Sequence, residues 1–439
     1  MPAKGGIGVL IATAVGLGAI IGAGIFVLSG TAIAIAGPYA LIAFVIVGVV
    51  ALLVAAQLAE LGSIMPYVKG ASYSYVHQAF GSELGFITGI LLYFMYASAI
   101  SVVALGFGSY AANIVGLPES YGIYFAIVAI AGLAVVNLIG IKSATRTDSV
   151  LVAVKVAILV IFIVFALWLA SSNGIDLKSS FASLPSQRGL GPIFAASVVI
   201  LFAYSGFQVI STFFSKISGG TSAGAKALLL AVGISMTLYI LIAIAMVLLV
   251  PASKYTVNAD PLAFALQHAG APSYIFELVD VGALIATASA TLAMMLSASR
   301  IMYQMSADGL LPMVFRSYNK RRDVAGNAVI VSSVIAVAML FAGNIYTITA
   351  ISNFGLLFAY LMSALAVLHF RRIRKTGNFR TPFYPYLSII TIIAILLFIY
   401  GMPQEALQIG VFIILLCIVV YYSLRELREK KVVKTRLFK

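Results

Sequence analysis

Twelve runs of about 20 mostly apolar residues leave this chain few ways to fold. They lie near 7–35, 39–62, 84–113, 121–140, 146–171, 192–214, 226–250, 274–304, 327–344, 347–370, 386–402 and 406–423. A segment of that length crosses the hydrocarbon of a bilayer as a helix, whereas an open sheet facing lipid would strand its backbone polar groups. The 439 residues are 62% hydrophobic and only 9% charged, too little polar surface to cover a soluble core of this size. The sequence therefore predicts an all-α integral membrane protein with twelve transmembrane helices. The longer connections, 171–192, 251–273 and 306–327, are too small to fold alone, so one integral domain over 1–439 is expected.

The net charge of +14 is explained by where the charges fall. With the N-terminus inside, all but five of the 27 basic residues lie in inner loops and tails. The exceptions are Lys178, Arg188 and Lys254 outside, and Lys155 and Arg300 within spans. The positive-inside rule then places both termini in the cytoplasm of a multi-pass cell-membrane protein. The tail "LRELREKKVVKTRLFK" (424–439) is suited to anionic lipid of the bilayer. No nucleic acid partner is expected, because no basic fold or aromatic platform accompanies the charge. "MPAKGG" runs directly into the first apolar run without a cleavage site, which reads as a retained first span. Cys417 is the single cysteine, so no internal disulfide can form.

The first run contains "GLGAIIGAGIFVLSG" (16–30), with five glycines in a segment that has to be helical. Each glycine inside a helix costs roughly 0.5–1 kcal/mol relative to alanine. Gly18 and Gly22 form a G-x-x-x-G pair that would allow close helix packing. The alternative is a break at Gly22-Ala23-Gly24. The sixth run opens with Gly191-Pro192 and is interrupted again in "FAYSGFQ" (202–208), five spans later. Breaks at matching positions of two five-helix halves, which an odd number of helices forces to be inverted, point to a transport site at the midplane. The halves would be 7–171 and 192–370, followed by two extra helices over 386–423. A break exposes N–H groups at the start of its second half-helix, suited to a carboxylate, and carbonyls at the end of its first, suited to an ammonium. A zwitterionic amino acid carries both groups on one carbon.

None of the thirteen acidic residues falls in the middle of a span, but Lys155 does, about seven residues from Asp148 and therefore roughly 10 Å deep. A lysine there costs about 2.5–3.5 kcal/mol on insertion scales. An amine taken out of water gives up its proton more readily. Lys155 is thus either a proton carrier or a fixed ammonium bonded to carbonyls of a broken helix. Arg300, close to the inner end of its span, is expected to snorkel. An embedded enzyme is not supported: the chain has no H-E-x-x-H, no G-x-S-x-G and no intramembrane carboxylate pair. Neither a metal nor a cofactor is expected.

Several stretches together resemble the amino acid–polyamine–organocation (APC) transporter superfamily. "GAIIGAGIF" is similar to its first-span motif, and Glu60, Pro66, Gly70, Tyr73, Tyr75, Gly81, Gly85, Phe86 and Gly89 match its second-to-third-span segment. "NLIGIKSA" and "SRIMYQMSADGLLP" match its sequences before span 5 and after span 8. The resemblance implies a LeuT-type 5+5 inverted repeat with helices 1 and 6 broken. It implies that the N–H groups of Ala23 and Gly24 take a substrate carboxylate, and that the carbonyls of Ile20, Phe202 and Ser205 take its α-ammonium. Lys155 would stand where sodium sits in sodium-dependent members, with the Gly18 carbonyl and the Ser289 hydroxyl as partners. Phe202 and Phe207 would be aromatic gates, and Met294 would line the pocket. Gln208 occupies a position that is often acidic in exchangers of basic amino acids, and the pocket is otherwise small or apolar. The implied activity is secondary active transport of neutral amino acids, with protons as the coupling ion through Lys155. The alternatives are an amino acid exchanger, which could take cationic substrates, with Lys155 as a structural ammonium, and a non-transporting sensor. The lack of an outer-loop cysteine leaves no disulfide-linked partner subunit.

Overall fold

Backbone groups surrounded by lipid have to pair within their own segment, and the chain meets that demand almost entirely with helices. The computed structural model describes residues 7–68, 70–139, 145–172, 190–256, 260–319, 322 and 324–437; side chains at 23, 145–150, 212, 213 and 424–437 are not among those described. The expectations placed on residues 140–144, most of 171–192 and the extreme termini lie outside these ranges. The helices are α1 (Val9–Ile20), α2 (Ala23–Ala36), α3 (Ala40–Ile64), α4 (Ser72–Phe80), α5 (Ser82–Val115), α6 (Gly122–Ile139), α7 (Thr145–Ser172) and α8 (Leu190–Ala203). They continue as α9 (Gly220–Leu249), α10 (Pro261–His268), α11 (Ser273–Ala307), α12 (Gly326–Met339), α13 (Ile345–Arg372), α14 (Tyr386–Tyr400) and α15 (Gln404–Leu437). Among the described residues, eight helical stretches are long and apolar enough to cross a membrane, and four shorter apolar helices accompany them.

The boundaries differ from the sequence reading in ways that local chemistry explains. The ninth apolar run extends to 344, but α12 stops at Met339 and a turn intervenes, because Asn344 caps the next helix: its side chain accepts the Thr347 N–H at 2.9 Å. Gly191-Pro192 does not interrupt span 6. Pro192 lies in the first turn of α8, where its missing N–H has no intrahelical partner to lose. Two short helices, α4 and α10, occupy segments that read as loops in the sequence.

α5 forms the centre of the packing, against α11, α13 and α6, while α9 lies against α3 and α1, and α2 against α8. The Ile7 N–H donates to the Lys216 carbonyl at 2.9 Å, and its own carbonyl accepts from Ser218 at 2.8 Å. The entry to α1 is thereby fixed to the end of the sixth apolar run.

One charged cluster ties α3 to α13 and to the chain beyond it. Glu60 is fully buried and accepts from Nε and Nη2 of Arg371, the second at 3.1 Å, and from the Thr381 N–H at 2.8 Å. The Thr381 hydroxyl donates to the Ala56 carbonyl, and the Tyr384 ring lies 4.8 Å from the Arg371 guanidinium. Arg371→Leu leaves a carboxylate without its counter-ion, which should cost about 3–5 kcal/mol. Thermal unfolding in detergent should show that loss. Adding Glu60→Gln should recover most of it, and a double variant no better than the single would contradict a charge-based role.

Candidate functional site

The interruption in the first apolar run lies at Ile21-Gly22, one residue earlier than Gly22-Ala23-Gly24. α1 closes with the Ile21 N–H donating to the Leu17 carbonyl at 2.7 Å, and the Gly22 N–H turns back to the Ile20 carbonyl at 2.8 Å. Gly22 then begins α2 with no side-chain cap, so the N–H groups of Ala23 and Gly24 open a helix whose first turn has no internal acceptor. This positive helix end needs no charged side chain to favour an anion.

The second interruption is Tyr204-Ser205-Gly206, after α8. Beyond it the chain runs as a 3-10 helix, rather than an α-helix, from Phe207 to Lys216. The two breaks touch. Gly206 has φ +103°, and a Cβ there would overlap the Ala19 carbonyl. A Cβ on Gly24 would overlap the backbone of Ala203. Glycine at these two points lets one broken helix lie against the other.

One side chain joins them. The Tyr239 hydroxyl, on α9, lies 2.9 Å from the Ile20 carbonyl and 3.2 Å from the Ala203 carbonyl, the final residues of α1 and α8. Sequence reading missed Tyr239, although a tyrosine in the middle of an apolar span implies a buried partner for its hydroxyl. Tyr96 carries the same signal, whereas the buried Tyr360 hydroxyl has no hydrogen-bond partner among the described residues. Tyr96 accepts from the Gln208 side chain at 2.6 Å, and Tyr360 stacks on Phe207 with ring centroids 5.6 Å apart.

Of the anticipated residues, Lys155 and Gly18 are in contact. Lys155 is 1% exposed, and its Nζ is 3.3 Å from the Gly18 carbonyl. α11 meets the first break at Ala290, next to Ser289, where a Cβ on Gly22 would press on its methyl. Ser289 is half-buried, and so is Met294, one turn beyond Ala290 and packed on the core. The carbonyls are less open than expected. Ile20 accepts from Gly22 and Tyr239, and Phe202 accepts from the Ser205 N–H at 3.0 Å and the Ser205 hydroxyl at 2.7 Å. Both lone pairs of each carbonyl are engaged within the protein.

Two helix ends, two uncapped N–H groups and a buried lysine meet at one place in a chain made of apolar helices. A family model described as amino acid permease matches residues 12–436. The chain belongs to the amino acid permease family. The permease is 29% identical to the methylthioribose transporter of Bacillus subtilis, over 89% of this chain and 87% of that one. It is 27% identical to the branched-chain amino acid permease BcaP of Lactococcus lactis, over 95% and 94%. It is also 29% identical to the vacuolar cationic amino acid transporter 4 of Arabidopsis thaliana, over 83% and 63%. These relatives are transporters rather than enzymes. Among solved structures, a mutant of the manganese transporter of Eremococcus coleocola superposes with a TM-score of 0.59 at 15% identity, covering 95% of both chains. That likeness is one of fold. Among the described residues of the permease, no group of three His, Cys, Asp or Glu side chains could hold a metal ion.

α10 lies against the second half of α2, where Pro261 packs against Gly30. Asp260 precedes it, with Glu119 and Asp280 as its acidic neighbours. Burial first, and the Glu119 charge second, push the Asp260 carboxyl up to about 6. A raised carboxyl favours the folded packing of this segment when protonated. This contribution is complete below about 4, the ordinary carboxylate range, and is lost as pH rises through 6. Hydrogen exchange of 261–268, corrected for intrinsic rates, should slow several-fold on acidification from pH 7 to 4 in wild type and stay flat in Asp260→Asn. Equal pH profiles would contradict this assignment.

Tyr239→Phe should remove one donor from two carbonyls and cost about 1–2 kcal/mol in the empty protein. If substrate amine reaches the same carbonyls, bound amino acid should raise the melting temperature of the variant more than that of wild type. Equal ligand-induced shifts would separate Tyr239 from the site.

Proposed function

We propose that this permease is a secondary active transporter that moves neutral amino acids by alternating access, with substrate held between the two breaks. The architecture behind this reading is twelve membrane crossings, two inverted five-helix halves over 7–171 and 192–370, and cytoplasmic termini. The observation that carries it is that the uncapped start of α2 lies against the end of α8 at Gly24 and Ala203, while Tyr239 joins the ends of α1 and α8. The N–H groups of Ala23 and Gly24 would take the carboxylate. The ammonium would take the carbonyls of Ile20, Phe202 and Ser205, displacing the hydroxyl donors that now cover the first two. Tyr239 and Ser205 rotate about single bonds, so a substrate amine replaces their hydrogen bonds in kind. The apo and loaded sites then differ little in unsatisfied backbone, which would keep the energetic cost of emptying the site low.

The surroundings favour an uncharged side chain. Phe202 and Phe207 are buried, Met294 lies one turn beyond the first break's contact with α11, and the amide nitrogen of Gln208 is engaged by Tyr96. The likeness to a branched-chain permease supports this reading, and the likeness to cationic transporters marks the competing one. Protons are the coupling ion in this account. Lys155 would carry the proton: its ammonium holds the Gly18 carbonyl and the Ser289 hydroxyl when charged and releases α1 when neutral. The Gly18 contact equally suits a fixed ammonium in an exchanger, with no proton moved.

Uptake of a radiolabelled amino acid panel into proteoliposomes distinguishes these mechanisms. With an inward proton gradient, wild type should accumulate neutral amino acids at least tenfold above equilibrium. Lys155→Ala should lose the accumulation while retaining exchange. Exchange alone, indifferent to the gradient, would assign Lys155 a structural role. Binding with no flux of any kind would leave a sensor.

A further inference from the structure

A groove of about 560 Å³ lies on the face of α9 away from the breaks, closed on one side by Phe379. Its lining from α9 is periodic. Ser222 and Lys226 stand at one end, Leu229, Leu230, Gly233 and Ile234 come next, and Thr237 ends it. These positions recur every three or four residues, so they form a single stripe. Leu230 is 39% and Ile234 40% exposed, on a helix long and apolar enough to span a membrane. From Lys226 to Thr237 the stripe runs about 16 Å, close to half of a ~30 Å hydrocarbon core. It therefore reaches from headgroup depth to the midplane. The cation is at the shallow end, and the Thr237 hydroxyl at the deep end is already spent on the Gly233 carbonyl at 3.1 Å.

Phe379 is a fixed wall. Its N–H donates to Ser63 Oγ at 3.2 Å, and that hydroxyl donates to the Phe379 carbonyl at 3.1 Å. A Cβ added to Gly233 would meet nothing within 4 Å, so the floor of the groove is open space.

We propose that this groove binds one acyl chain of an anionic phospholipid from the bilayer, with the lipid phosphate held by Lys226 and Ser222. One leaflet of depth, apolar walls and one lining cation at the headgroup end match a phospholipid and would leave a soluble ligand stranded in hydrocarbon. The opposite face of α9 carries Tyr239, which joins the two breaks. A chain seated in the groove braces that helix from behind, so lipid occupancy stiffens the helix that holds the transport site.

The test uses the full-length protein, purified after reconstitution in phosphatidylcholine with one quarter phosphatidylglycerol, and lipid retained after detergent washing is counted by native mass spectrometry. Wild type should keep about one phosphatidylglycerol in preference to phosphatidylcholine. Lys226→Gln should lower phosphatidylglycerol retention at least fivefold. Gly233→Phe, whose Cβ meets nothing within 4 Å and whose ring is directed at the open floor, should exclude both lipids while leaving the melting temperature of the delipidated protein unchanged. Transport in the mixed vesicles should fall several-fold in Gly233→Phe. Equal retention in all three proteins would overturn the site. Loss in Lys226→Gln with full retention in Gly233→Phe would reduce it to surface charge attraction, and equal retention of both lipids by wild type would overturn the anionic preference.

Discussion

A helix broken inside a membrane leaves carbonyls and N–H groups that lipid cannot satisfy, and this constraint organises the centre of the protein. The solution is to place two broken helices against each other and to cover their ends with hydroxyls. Tyr239 serves the last carbonyls of α1 and α8 together, and Ser205 closes on Phe202. The start of α2 is treated differently: Gly22 offers no cap, so its N–H groups remain available to an anion. In the proposed function, this asymmetry between covered carbonyls and uncapped donors is what suits the break to a ligand. A hydroxyl can leave when an ammonium arrives, whereas among the described residues no side chain caps the start of α2.

Much of the fold was legible because lipid imposes a strong rule on sequence. Each apolar run holds a helix or a pair of half-helices, since nothing else pairs the backbone there. The boundaries were less legible. Asn344 sits at the end of an apolar run, yet its side chain caps α13, and the 3-10 geometry after Gly206 has no period that hydrophobicity alone reveals. α4 and α10 are short and only partly apolar, so they read as loops.

The two breaks and the buried lysine were legible through the glycines and through a charge deep in an apolar run. Gly24 and Gly206 mark where two backbones approach too closely for any side chain, and Lys155 marks a charge that lipid would not tolerate without a reason. Tyr239 stayed hidden because it is an ordinary aromatic residue in a long apolar run. Its role depends on three helices converging, and no linear pattern records that convergence. The same limit hid the internal bonds on the carbonyls of Ile20 and Phe202, which depend on local turns at each break. Glu60 was recognisable by its match to a family segment, but its partner Arg371 is 311 residues away.

The central claim is that the paired breaks recognise the α-carboxylate and the α-ammonium of one amino acid at once. Its most direct test is competition against uptake by the amino acid transported fastest, its methyl ester and its N-acetyl derivative. The free amino acid should compete, and each blocked form should lose at least a hundredfold in apparent affinity. An ester or an N-acetyl derivative that competes as well as the parent would place recognition elsewhere and contradict the claim.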